Sequence, residues 1–550
     1  MRIRRALLLL AAALALADAS IVTLALPPII DELDASVEGA AAVLGVYTLV
    51  LAVVLPLTPR LPGRPQTLGT LGAAAFAAAS LGCGLAGSLE ALLVLRALQA
   101  GGAAVVLVAV FSLVDGGGAG QRAWHAAAVF GFAAGPALGG ALTQALDWRA
   151  IFLAQVPIAL AASVAAATVV DFPAHSADKS TTAPSNGAGP APLNARGSTS
   201  ASAAATLALV SAALTGVLFL LVLLLVTGWS TTPLAAAATV TVLPIAAILA
   251  SRINGPATVR AAAGALLIAG GVGALASTPD ANVLWTIPPQ VMAGVGMGLA
   301  LPALATERTA TQAANLLAAR HAGITIALAI LAPIAATRID GAVATVREQG
   351  TALVLDARLP PLDKLELAGA IVGDIDPVDP RGELQRSLDR AAGRIDKEDR
   401  PAYAEMAARA DDALVAGVRS AFAPAFLVCA ALALIAAAVL VPRDRRVLLA
   451  GAAAVVLAGG AYLARPSLEP EPVAIANPCR PRDLPSTGGL DGAIQDVALT
   501  ALDRAACRYG SSREELALAL VDDGARRAYQ RDHGVDPRDI LGLVGAALGL

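Results

Sequence analysis

Apolar residues fall along this chain in blocks of about twenty, the length an α-helix needs to cross the hydrocarbon core of a bilayer. By that rule membrane spans are expected near 6–28, 38–58, 67–87, 91–113, 123–145 and 150–170. After a polar gap they resume near 205–227, 233–251, 260–277, 284–304, 314–336, 418–441 and 447–464. The pattern predicts an all-α membrane protein: two six-helix halves, 1–170 and 205–441, and one extra transmembrane helix within 442–464. The gap at 171–204, "DFPAHSADKSTTAPSNGAGPAPLNARGSTS" and its flanks, is rich in Ser, Ala, Pro and Gly and predicts a flexible linker. Two further polar blocks, an insertion at 337–417 and the tail at 465–550, predict helical pieces outside the membrane. The opening "MRIRRALLLLAAALALADAS" is basic and then apolar, like a signal peptide. Its apolar run continues through "IVTLALPPII", too long for a signal h-region, so a first membrane helix fits better.

Lys and Arg positions orient the spans. With the N-terminus cytoplasmic, Arg2, Arg4 and Arg5 lie inside. So do the loops with Arg60 and Arg64, Arg122, Arg252 and Arg260, Arg308, and "PRDRR" with Arg443, Arg445 and Arg446. The opposite loops "DELDASVEG", "GSLE", "TGWSTTP" and "STPDAN" carry none, and Arg149 is the short-loop exception. This places the 171–204 linker in the cytoplasm and both the insertion and the C-terminal domain outside, on a multi-pass protein of the cytoplasmic membrane. Composition agrees. The chain is 57% hydrophobic and 15% charged, where soluble chains are about 45–50% apolar and about 25% charged. No Zn-spaced Cys/His cluster, GxxxxGK[ST], GxSxG or basic patch with interleaved aromatics occurs. An enzyme, a cofactor, a resident metal and a nucleic-acid partner are therefore not expected.

The stretch "GFAAGPALGG" breaks the helical rules inside an apolar block. Gly131, Gly135 and Gly139 recur at four-residue spacing and share a face, with Gly140 beside them and Pro136 adding a bend. Small residues let membrane helices approach closely, because lipid gives no hydrophobic drive for association. Followed by "DWRAIFLAQVPIAL", the stretch resembles the fifth-helix antiporter motif of the major facilitator superfamily. "ADASIVTLALPPI", with Asp18 and Pro27, resembles the first-helix motif LDxTIVNVALP of its fourteen-helix drug:proton antiporters. "LRALQAGGAA", with Arg96, Gln99 and Gly102, resembles the fourth-helix motif RxxQGxGxA, with Ala100 where that motif has Gly. "VMAGVGMGLALPAL" and "LLAARHAGITIALAI", with Arg320 and Gly323, are similar to late helices of the same group. The resemblance implies the major facilitator fold, with the glycine face packed against the other half to seal one side of a pathway. The gating loop between helices 2 and 3, GxLaDRxGRR in the family, is here "TPRLPGRP". It keeps Arg60, Gly63 and Arg64 and lacks the acid. The two extra central helices of the fourteen-helix type are absent, leaving a twelve-helix core plus one.

A charge in mid-membrane costs at least about 2.5–3.5 kcal/mol, so the rare ones matter. Asp18 either caps a helix break with Ser20 and Thr23 or, as the resemblance implies, carries a proton. Arg96 either snorkels to a headgroup or serves as its electrostatic counterpart. His321 beside Arg320, and His125 beside Trp124, read as interfacial histidines, with a titratable relay as the alternative for His321. Asp374, Asp376 and Asp379 in "GDIDPVDP" read as a solvated turn rather than a Ca²⁺ loop, since the spacing is not that of an EF-hand. Cys83 and Cys429 fall within spans. Cys479 and Cys507 fall in the tail, where an oxidising exterior permits a disulfide. In the insertion, Leu384, Leu388 and Ile395 share roughly one helical face, expected to pack over the external mouth. The implied function is proton-coupled export of hydrophobic or amphipathic small molecules. Its partners are the substrate, protons and the bilayer, and possible external protein partners follow from the outer pieces. Two alternatives stay open: an exporter of envelope lipid, and a transport-inactive scaffold or receptor working through its external domains.

Overall fold

The structure, a computed structural model, describes residues 2–114, 118–169, 194–305, 307, 309–361, 363, 364, 367, 379–440, 445–468, 473–485 and 489–539. Among these residues eleven helices are long and apolar enough to cross a membrane. Spans 1 to 4 are Arg2–Thr23, Val37–Arg60, Pro65–Gly84 and Leu89–Val114. Span 6 is Ala150–Ala167, and spans 7 to 10 are Ala201–Gly228, Pro233–Ala250, Ala257–Leu275 and Val283–Leu304. Spans 11 and 12 are Ala310–Asp356 and Arg400–Leu440. The fifth position is filled by the helix Gly118–Ala145. The thirteenth is filled by Arg445–Leu468, whose apolar centre is Leu449–Leu463.

Spans 1 to 6 pack among themselves, with 3 against 4 and 6, 1 against 5, and 2 against 4. Spans 7 to 12 do the same, with 9 against 10 and 12, 8 against 10, and 11 against 7 and 12. The two groups meet where span 2 lies on span 11 and span 5 on span 8. Helices come this close because small residues line the seams. A Cβ at Gly102 in span 4 would stand 3.0 Å from the carbonyl oxygen of Gly72 in span 3, and one at Gly271 in span 9 only 2.8 Å from the amide of Ala293 in span 10. The thirteenth helix joins span 9 by the same device, with Gly270 against Ala454 and Gly273 against Ala458. Its other faces, with Leu449, Val455, Val456 and Leu463, are open to lipid.

Three expected boundaries change. The helix of span 7 begins at Asn194, inside the stretch read as a linker. That stretch, NARGSTSASAA, has no proline and a single glycine, Gly197, so the helix propagates back from the apolar run; the rest of that linker, through 193, is outside the described residues. The insertion, in turn, is not a separate piece. Span 11 is one 47-residue helix and span 12 one of 41. At about 1.5 Å per residue the longer runs some 70 Å, more than twice the bilayer core of about 30 Å. Both therefore project from the same end as a two-helix stalk. Hydropathy marks where lipid stops, not where a helix stops, so the sequence pattern divided what the backbone joins. The stalk has its own core, in which Val346, Leu353, Leu384, Leu388, Tyr403 and Met406 cluster with Ile395. Leu384 and Leu388 lie on the helix Pro380–Ala392, opened by Asp379, whose side chain accepts from the Gly382 amide at 3.1 Å. Asp379 also pairs with Arg386 at 3.0 Å; Asp374 and Asp376 lie outside the described residues.

The tail folds into three helices, Gly489–Tyr509, Arg513–Val521 and Asp523–His533. They close on Ala505, Ala506, Leu516, Ala519 and Tyr529. A Cys479–Cys507 disulfide ties the segment before them to the first, with Cα atoms 5.0 Å apart. The tail docks on the stalk through charge. Buried Arg513 reaches Asp356 at 2.7 Å and Glu514 at 2.8 Å, and Ser512 donates to Glu348 at 2.5 Å.

Candidate functional site

A buried charge network lies at the middle of spans 1 to 6. Asp18 on span 1 and Arg96 on span 4 are both fully buried, with the arginine Nη1 2.5 Å from a carboxylate oxygen. Polar side chains of the neighbouring spans join the pair in one web. Gln155 of span 6 donates to the second Asp18 oxygen at 3.0 Å. Arg96 donates from Nη1 to Gln99 Oε1 at 2.6 Å and from Nε to the Val43 carbonyl at 3.1 Å. The Gln99 amide donates to Gln155 Oε1 at 3.1 Å and to Ser80 Oγ at 2.9 Å. The guanidinium also lies 4.3 Å from the centre of the Tyr47 ring and 5.6 Å from that of Phe152, so its faces meet π-systems rather than alkyl chains. Five of the first six spans contribute: 1, 2, 3, 4 and 6.

Ser20 and Thr23 bond the carbonyls of Ala17 and Ala19 in their own helix. The helix break falls beyond them, where Pro27 and Pro28 open the short helix Leu26–Glu32. Asp18 is thus committed to Arg96 and not to a cap. Gln155 was not singled out in the sequence, although a glutamine within an apolar run was a signal. Tyr47 carried no signal, since aromatics in spans are ordinary core residues.

The glycine face sits beside this web. A Cβ on Gly135 would stand 2.8 Å from Ser20 Cβ, and one on Gly139 would stand 3.0 Å from the carbonyl carbon of Ile21. Both therefore seat span 5 on span 1, within the same half. Gly140, about 100° further round the helix, is the one that faces the other half. A Cβ there would lie 2.9 Å from the Pro233 carbonyl oxygen of span 8, where Gln144 also accepts from the Leu234 amide at 2.8 Å. The expectation that the whole glycine face packs across the halves is corrected accordingly. Pro136 is buried inside the helix, and Gly131 lies in its first half.

The two ends of the bundle differ. At the end that carries residue 2, a cavity of ≈ 440 Å³ opens between span 5 and spans 7, 8, 10 and 11, lined among others by Trp124, His125, Ser251, Glu307 and Arg320. Glu307, in the loop before span 11, accepts from Trp124 Nε1 at 3.1 Å and lies 3.2 Å from His125 Nε2. Sequence reading missed this cross-half contact and placed His125 at the membrane surface. His321 is not interfacial either; it is buried, with Nδ1 2.7 Å from its own helix carbonyl at Leu317. At the stalk end a second cavity, of ≈ 310 Å³, lies between the first helical turn of span 2 and the feet of the stalk helices. Neither Asp18 nor Arg96 lines either cavity.

The loop between spans 2 and 3 is exposed. Arg60 bonds the Pro56 carbonyl of its own turn at 3.0 Å, Gly63 takes a φ of 136° that only glycine adopts readily, and Arg64 precedes span 3. Among the described residues neither arginine meets a carboxylate. Arg149, the exception to the charge bias, is held at the stalk end by Glu32 at 2.5 Å and stacks 4.4 Å from the Trp148 ring.

The sequence and the fold have known relatives. The sequence profile of the Major Facilitator Superfamily matches residues 8–332, which excludes the stalk, the thirteenth helix and the tail. The tetracenomycin C resistance and export protein of Streptomyces glaucescens is 35% identical over 173 residues, 30% of this chain and 32% of its own. The cephamycin export protein of Amycolatopsis lactamdurans is 36% identical over 167 residues, 28% and 34%. The lincomycin resistance protein of Streptomyces lincolnensis is 34% identical over 149 residues, 26% and 31%. The matches thus span about a third of the length of these relatives. A crystal structure of a bacterial homologue of the human lysosomal transporter Spinster, inward-facing and unoccupied, shares the fold with a TM-score of 0.51 at 15% identity, over 80% of this chain and 97% of its own. The chain belongs to the major facilitator superfamily and is a multi-pass membrane protein.

Proposed function

From that membership we propose that the chain exports hydrophobic or amphipathic small molecules across the cytoplasmic membrane in exchange for protons, by alternating access of its two halves. The carrying observation is the buried Asp18–Arg96 pair. No proton reaches Asp18 while the pair is sealed, so loading and release each require one side to open. That requirement ties protonation to access. With Asp18 ionised, the ion pair and the Gln155 bond lock spans 1, 4 and 6 together. Protonation removes the charge that holds Arg96 and frees span 1, which carries the glycine seam to span 5, to move relative to the rest.

The Lys/Arg bias supports a cytoplasmic N-terminus. The cavity beside Trp124 then faces the cytoplasm, and the stalk, the disulfide and the tail face outside, where thiols oxidise. Relatives named for antibiotic export and resistance support the direction of transport and the substrate class. The test is substrate-dependent proton flux in proteoliposomes. Asp18→Asn should abolish pH-driven export while substrate binding stays measurable, because the amide mimics the protonated acid. Export by that variant against a gradient at the parental rate places coupling elsewhere. A second reading, a transport-inactive scaffold, is favoured by one observation: Arg60 and Arg64 lack the acid with which the family's loop works. It gains if the parent moves neither protons nor substrate across a broad panel.

A further inference from the structure

We propose that the cavity at the foot of the stalk is an exit site for a hydrophobic cation, walled jointly by residues within the family profile and by the stalk that lies beyond it. The inference rests on the export reading and names the charge class of the substrate. The N-terminal half supplies Ile30, Val37 and Glu38 to its wall, and span 7 supplies Leu223 and Thr227. The stalk supplies Val346, Leu414 and Val418, and the stalk-capping helix adds Pro380. The volume of ≈ 310 Å³ is walled almost wholly by carbon, which suits an apolar body.

Charge decides the head. Among the described residues Glu38 is the one ionisable residue lining the cavity, and no Lys, Arg or His lines it. It stands at the end of an acidic loop, "DELDASVEG", in which Glu32 is engaged by Arg149 and Trp148. Asp31, Asp34 and Glu38 are exposed, and among the described residues none meets a cation. An apolar groove with an uncompensated negative rim attracts a positively charged amphiphile and repels an anionic one. A polar group inside the groove is also without a partner. Thr227 lies in a π-helical turn, Leu224–Gly228, a local widening often found at functional sites. Its hydroxyl is buried and makes no hydrogen bond among the described residues. It is placed to bond a heteroatom of the occupant.

The experiment uses the full chain in nanodiscs, with no pH gradient, titrated with the fluorescent cation rhodamine 6G and read by polarisation against protein-free discs. The anionic dye carboxyfluorescein, of similar xanthene frame, is the comparator. Rhodamine 6G should bind and carboxyfluorescein should not. Glu38→Gln should weaken rhodamine 6G by about two- to fivefold, the range of an exposed ion pair. Val418→Trp, which fills the groove, should weaken it by more than about tenfold. Should Val418→Trp fail to fold, Ala342→Leu narrows the same wall by less. Equal binding of both dyes, or parental affinity in the charge and groove variants, overturns the site. Because binding is read without a gradient, cation binding that follows these variants upholds the site even if no proton-driven export is found, and the export reading alone then fails.

Discussion

The Asp18–Arg96 pair can be weighed by a double-mutant cycle. Arg96→Met keeps most of the side-chain volume and removes the guanidinium. The Asp18 carboxylate is then left in a fully buried position with the Gln155 amide as its remaining partner, and Gln99 Oε1 and the Val43 carbonyl each lose a donor. Breaking a buried ion pair from one side costs about 3–5 kcal/mol. Asp18→Asn is milder. The amide oxygen still accepts from Gln155, and the guanidinium keeps Gln99, Val43 and the rings of Tyr47 and Phe152. The loss is then that of a charged hydrogen bond, about 1.5–3 kcal/mol. With both substitutions no unpaired charge remains, so the double variant should lose about 2–4 kcal/mol rather than the sum of the two. The expected coupling is therefore about 2 kcal/mol or more. Unfolding free energies of the four proteins, measured in bicelles by steric trapping, give it directly. Additivity within about 0.5 kcal/mol would mean that the two charges do not sense each other, and the pair could not serve as a lock.

Gly139→Leu should cost about 1–3 kcal/mol by overpacking against the Ile21 carbonyl, and transport should be lost before expression; a fully active variant removes the seam argument. Replacing Cys479 and Cys507 by Ser opens a 28-residue separation, which the chain-entropy relation values at about 3.6 kcal/mol. The tail should then melt earlier, and two alkylatable thiols in parent protein from intact membranes would refute the bridge. Burial pushes the Glu307 carboxyl up, but hydrogen bonds from His125, its own backbone and Trp124 outweigh burial and hold it below its ordinary 4.5. Its stabilising contribution is thus present above that value and lost as pH falls through the lower folded one. Ser251→Cys in the same cavity should be labelled faster below that point, and at every pH in Glu307→Gln; pH-independent labelling of the parent contradicts a role for the Glu307 contact in closing the cavity.

The fold class was legible because span length and small-residue seams are local properties of the chain, and the ordered motifs named the family. Asp18 and Arg96 stood out for an equally local reason, since charge in an apolar block is costly wherever it points. What they touch was not legible. Gln155 reaches Asp18 across 137 positions and Trp124 reaches Glu307 across 183, and neither separation leaves a periodic trace. Gly140 shows the limit within one helix. Four-residue spacing identified the face of Gly135 and Gly139, but which neighbour each face meets depends on the rotation of the whole helix in the bundle. The stalk was divided at the membrane surface because its outer half is polar, although nothing in "IDGAVATVREQGTALVLD" stops a helix.

The contacts that close the two ends are of different kinds, and that difference bears on which end yields first. At the stalk end the halves meet through backbone. Gly140 leaves no room between span 5 and the Pro233 carbonyl, and Gln144 fixes the first turn of span 8 through the Leu234 amide. No side-chain rotation relaxes a seam whose separation is set by two main chains. At the other end span 2 and the turn after it pack on the start of span 11, where Ala313, Ala314 and Ala318 share a core with Leu51 and Leu55, and one carboxylate adds to that contact. Glu307 swings on three rotatable bonds, and the indole and imidazole it meets already border an open cavity. Freeing it from Trp124 and His125 breaks charged hydrogen bonds of about 1.5–3 kcal/mol each, while parting span 5 from span 8 separates Gly140 from the Pro233 carbonyl and Gln144 from the Leu234 amide. Under the export reading Glu307, in the loop before span 11, is then a rotatable contact that the cytoplasmic end has to release in order to open, whereas the contact of Gly140 with span 8 yields only if the two helices move apart.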